Sequence, residues 1–166
     1  MARGPRRGPY GRRRARRRGT SAFRRPPPAR GTLGNVDLWL LDPADPDDRG
    51  FLVLAEHPEL AEAIERGDEE VVVGGEPVNP RLHLTLHEVV ASQLWDGDPP
   101  EAWQTAQRLL AAGYERHEIL HMLAAVVARE VFGLLAEGQA VDPAGYVRAL
   151  AGLPESWEAA RADPSA

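Results

Sequence analysis

The sequence predicts a mostly α-helical domain: a small bundle of four to six helices behind a disordered N-terminal arm. Three observations carry this. Apolar residues recur at the 3.6-residue spacing of a helix face in segment after segment. Helix punctuation frames those segments, with Pro58, Asn79-Pro80, Asp98-Pro99-Pro100 and Asp142-Pro143 at their starts and Gly67, Gly113, Gly138 and Gly152 at their ends. Composition also breaks sharply near residue 31, which divides the chain into an arm over 1–31 and a single helical domain over 32–166.

The arm is Arg, Gly and Pro and ends in Pro26-Pro27-Pro28. It has too little apolar surface to offset the entropy of ordering it. Residues 1–30 hold 12 arginines and no acid, whereas the rest holds the other 8 arginines and all 25 acids, a net −17. Three readings stay open: an arm that neutralises the phosphates of a nucleic acid or another acidic surface, a solvated tail lying back on the acidic body, or an initiation site placed too early. Tyr10 and Phe23 are too sparse for a base-stacking platform. All 20 basic residues are arginine, which reads as the codon bias of a GC-rich genome rather than an arginine-specific role.

The 166 residues are 43% apolar, enough for a real core. The absence of cysteine excludes disulfides, thiolate zinc sites and thiol catalysis, and leaves histidine and carboxylates as the strong metal ligands. No apolar run is expected to approach the roughly 20 residues of a membrane helix, because His121 interrupts the best candidate, Ile119 to Ala128. No apolar stretch follows the N-terminal arginines as a secretory signal requires. The expectation is a cytoplasmic protein with no membrane partner.

Taken in order, Val36 to Leu41 reads as a short helix or strand, Asp42 to Asp48 as a loop, and Phe51 to Leu54 as an extended or turn-like entry to the next helix. Pro58 opens that helix; Leu60, Ala61 and Ile64 form its apolar face and Gly67 ends it. His57, beside a helix-opening proline, reads as an N-cap or surface residue and not as a ligand. Glu69 to Val73 is a short extended segment closed by Gly74-Gly75. A helix then runs from Asn79-Pro80 to about Trp95 on a stripe of Leu82, Leu86, Val89, Val90 and Leu94. Another follows Asp98-Pro99 with Trp103, Ala106, Leu109 and Leu110 inward. A third runs from about Glu115 to Ala136 on Ile119, Met122, Leu123, Val126, Val127 and Leu134. Asp142-Pro143 opens a fourth through Leu150, and Trp157 anchors a short last one.

The chemistry lies in two histidine pairs of equal spacing, His83 with His87 and His117 with His121. Each is an i,i+4 pair, so both imidazoles share a helix face. Short connections make successive helices antiparallel, so the first and third of this run lie roughly parallel and bring their first halves, with both pairs, to one level. Four imidazoles there can bind a divalent metal, with Zn, Fe, Mn and Ni undistinguished. Glu88 and Glu118 stand about 100° round from the histidines before them, as further ligands or as acceptors for ligand N–H groups. His117-Glu118-Ile119-Leu120-His121 also fits H-E-x-x-H, in which Glu118 would be the general base of a metal-assisted hydrolysis. Ala124 stands where the longer form of that motif needs glycine, and its third ligand would have to come from His83 or His87. The rival reading is a non-catalytic module for protein or nucleic acid, with the histidines as buried polar packing.

Asn79-Pro80-x-x-His83-x-x-x-His87, Gln93-Leu94, Asp98-Pro99, Gln107-Arg108-Leu109-Leu110 and His117-Glu118-x-x-His121-Met122 together resemble a bacterial family, the domain of unknown function 1841 family. His57-Pro58-Glu59 looks like that family's upstream helix start, and the likeness spans about residues 50–136. The resemblance implies a small, mostly helical domain, gives no activity, and carries His83, His87, His117 and His121 together as motif positions.

Overall fold

The computed structural model describes residues 31–162. The arm expected over 1–31 lies, apart from Gly31, outside the described residues. Two short strands, β1 (Thr32–Leu33) and β2 (Val36–Asp37), pair antiparallel and lead into a 3-10 turn at Leu38–Leu40. Seven α-helices follow among the described residues, one more than the upper end of the expected range. They are α1 (Pro46–Ala55), α2 (Pro58–Arg66), α3 (Pro80–Asp96), α4 (Pro100–Ala111), α5 (Arg116–Ala136), α6 (Pro143–Ala151) and α7 (Glu155–Ala162). Between α2 and α3, β3 (Val71–Val73) and β4 (Glu76–Val78) form an antiparallel hairpin turned by Gly74 and Gly75, both at positive φ.

Helix α1 corrects the extended segment expected at Phe51–Leu54. Asp45 caps it, its carboxylate accepting from Asp47 N at 2.9 Å, and Pro46 takes the first turn. This is the Asx-Pro punctuation that also opens α3, where Asn79 Oδ1 accepts from Leu82 N at 2.9 Å. The buried face of α3 is also corrected. Leu84, His87, Val90 and Leu94 point inward, while Leu82 and Val89 of the expected stripe are exposed. The helix is thus turned so that its histidine line lies on the core side.

Helix α5 is the central helix, with Ile119, Met122 and Leu123 fully buried. They pack with Val90 and Leu94 of α3, Ala102, Ala106 and Leu109 of α4, and Leu150 of α6 as the main core. A second, smaller cluster joins Val53 of α1, Leu60 of α2 and Leu84 of α3 beneath the β3–β4 hairpin. By length and composition α5 is long and apolar enough to cross a membrane, with mean hydropathy 1.8. This corrects the expectation that His121 breaks the run: a single imidazole in a 21-residue helix leaves it apolar, and here the inward positions are spent on the core.

Candidate metal centre

The two apolar clusters meet along α3, and there the helices bring all five histidines of the chain together. His83 and His87 stand one turn apart on α3, with stacked rings 4.6 Å between centroids. His121 of α5 meets them edge-on at 5.3 and 4.8 Å. His57, at the junction of α1 and α2, contacts every other histidine at centroid distances of 4.4 to 6.0 Å.

His57 corrects the reading of that residue as a surface cap. It does occupy the N-cap position of α2, but its side chain makes no capping bond and is 0% exposed. Nδ1 instead donates to the Val53 carbonyl at 2.9 Å. A carbonyl can only accept, so Nδ1 carries a ring proton and Nε2 is the nitrogen left for a ligand. A backbone acceptor behind a ring in this way is the usual support for a metal-ligating histidine.

His57, His83, His87 and His121 each offer one ring nitrogen, and these atoms all lie within 4.8 Å of one another. Their four Nε2 atoms are buried and have no hydrogen-bond partner. Leaving a buried polar atom unpaired costs about 1–3 kcal/mol, so four in one place is an arrangement that needs a partner to make sense. A tetrahedral ion with metal–nitrogen bonds of about 2.0–2.1 Å sets its ligands about 3.4 Å apart, within the reach of small side-chain adjustments from this spacing.

Electrostatics keep His83, His87, His117 and His121 in the ligating form. Burial, then the neighbouring imidazoles of His57, His121, His83 and His117, pushes His87 down to about 2. Burial, then His117, His83 and His57, pushes His121 down to about 4. His83 and His117 are lowered by burial and then by His57. Each is therefore neutral at physiological pH, with a lone pair available.

The remaining expected site residues lie around this group rather than in it. His117 is exposed at the edge, 4.5 Å from the His121 ring, 5.0 Å from His57 and 6.1 Å from His87. Glu88 is exposed on the α1 side of α3, where its Oε1 stands against Gly50 and it lines a shallow cleft with Pro46, Arg49 and Thr85. Glu118 faces α7, with Oε1 3.9 Å from Arg161. The carboxylates whose charge reaches the imidazoles are two that the spacing did not single out. Glu56 acts on His117 and forms an ion pair with Arg116, and Glu59 acts on His83 and His117. Both flank His57 in sequence. Glu56 is raised by burial, against the lowering influence of Arg116.

A family model described as a domain of unknown function (DUF1841) matches residues 47–152. That span runs from α1 to α6 and takes in all five histidines, extending past both ends of the region read from the motifs. No curated protein and no solved structure matches the chain.

Proposed function

The chain belongs to the DUF1841 family, and from its converging imidazoles we propose that it binds one divalent metal ion through His57, His83, His87 and His121. The observation that carries this is the set of four buried, unpartnered Nε2 atoms. Polar packing, the rival reading, would pair those atoms with donors; here they are buried without one, in rings that each bring a nitrogen within 4.8 Å of the others. An all-imidazole set suits Zn, Fe or Ni better than the oxygen-seeking Mg, Ca or Mn.

Metal-assisted hydrolysis is the chemistry best matched to such an ion. An ion held by these four neutral imidazoles would keep its full charge as a Lewis acid, and hydrolysis would need one position on it left open to water. The base for that step would come from Glu59, whose charge bears on His83 and His117, in preference to Glu56, which is ion-paired with Arg116, and Glu118, which faces Arg161.

Elemental analysis of the protein as isolated should find close to one equivalent of a transition metal, and a chelator should lower the melting temperature. The double variant His83→Ala with His121→Ala should remove the metal. A metal-free protein whose melting ignores both chelator and added Zn, Fe and Ni would overturn the proposal and favour polar packing.

A further inference from the structure

The Nε2 atoms of His57, His83, His87 and His121 are buried from solvent, so an ion arriving from water must pass a side chain before it meets them. Stripping water from a divalent ion is costly unless another donor replaces what is lost. A route into this site is fast only where such a donor stands between solvent and the buried rings.

His117 stands there. It is the exposed member of the five, and its ring adjoins those of His121 at 4.5 Å and His57 at 5.0 Å. Two carboxylates, Glu56 and Glu59, act on it, with Arg116 offsetting part of their charge. Its nitrogens nevertheless fall outside the group that shares the 4.8 Å spacing. We infer that His117 is the relay ligand through which the ion enters and leaves, and not a resident ligand of the loaded site. The ion, drawn to the acidic rim, exchanges one water for the His117 imidazole, then others for His121 and His57, and settles on the four buried nitrogens; release runs in reverse. This rests on the metal-binding reading above and adds a division of labour to it: four histidines set affinity and the fifth sets rate.

Stopped-flow loading of the metal-stripped, full-length protein tests this, with Co2+ followed by its visible absorption and Zn2+ release followed with a chromophoric chelator. Two variants are needed, because His117→Ala opens the rim whereas His117→Phe keeps it filled without a donor. Both should still bind one equivalent with Kd within about threefold of the parent. Both should load and release about tenfold more slowly, the effect of about 1.4 kcal/mol on the barrier. Faster loading in the alanine variant with a parental rate in the phenylalanine variant would make His117 a mere plug and overturn the inference. Unchanged rates in both variants would overturn it as well. A collapse of affinity in both would make it a resident ligand, with the same result. A parent protein that takes up neither Co2+ nor Zn2+ would instead bring down the metal-binding reading itself, and the inference with it.

Discussion

His57 shows what a residue's neighbours along the chain conceal. In His57-Pro58-Glu59 the proline marks a helix start correctly, and helix starts are ordinarily near solvent, so the side chain reads as a cap. Its burial is a tertiary fact: α1 arrives from one side, and α3 and α5 from the other. His83, His87, His117 and His121 were legible because helical periodicity alone puts each pair on one face. Glu88 and Glu118 were chosen as neighbours of ligands, but a step of one residue turns about 100° round a helix, toward α1 in one case and α7 in the other. The same burial gives a pH prediction. His87 and His121 are held neutral down to about 2 and about 4, against 6.5 for a free imidazole. Below pH 6.5 an unfolded chain therefore takes up protons that the folded one refuses. Stability is then fully present above that pH and is lost as pH falls, with His121 contributing down to about 4 and His87 further. His83 and His117 act in the same direction. Urea midpoints of metal-stripped protein should decline steadily between about pH 7.5 and pH 5; a flat profile would mean that these rings are solvated.

At the scale of elements, α3 carries two of the four proposed ligands, and a side-chain cap closes its first turn. Asn79 Oδ1 accepts from Leu82 N, and His83 N reaches back to the Asn79 carbonyl at 3.0 Å. Asn79→Ala removes the side-chain cap and should cost about 1 kcal/mol, a drop of about 2–4 °C in melting temperature for a chain of this size. His83 sits in the turn that would fray, so metal affinity should fall in the same variant. Asn79→Asp, which keeps an acceptor, should restore both. Calorimetry with and without added Zn2+ separates the two effects, and a parental melting temperature for the alanine variant would deny the cap its role. Elements like α3, with an Asx cap, a proline and a glycine end, could be read from the sequence. Helix α1 has the first two at Asp45-Pro46 but is preceded by a proline- and acid-rich stretch, and composition there outweighed the cap. The facing side of α3 was misjudged for a different reason. Leu82, Leu86 and Val89 make as regular a stripe as Leu84, His87 and Val90, and only tertiary packing, of Leu84 against α1 and α2 and of Val90 in the main core, turns Leu82 and Val89 outward.

For the whole molecule, charge separates the two parts as strongly as composition does. Residues 1–30 hold 12 arginines without an acid, and the remainder holds 8 arginines against 25 acids. An acidic partner for such a segment would be one of two: a nucleic acid, or the acidic body of the same chain. They differ in their response to salt and truncation. Bound to nucleic acid, the arginines release condensed counterions, so the logarithm of affinity should fall linearly with that of salt by about 0.9 per phosphate neutralised on a duplex. Removing residues 1–30 should then abolish binding altogether, because what remains is strongly negative and repelled by phosphate. It should leave the metal content untouched, since all five histidines lie between residues 57 and 121. An arm laid on its own body behaves otherwise. Its removal would leave like charges facing one another on the domain and lower stability at low salt, and the loss would fade once salt screens beyond the roughly 8–10 Å of physiological ionic strength. Fluorescence anisotropy with a labelled oligonucleotide across a salt series, paired with melting of both forms across the same series, assigns the arm. Nucleic-acid binding that survives truncation would remove the arm from the account.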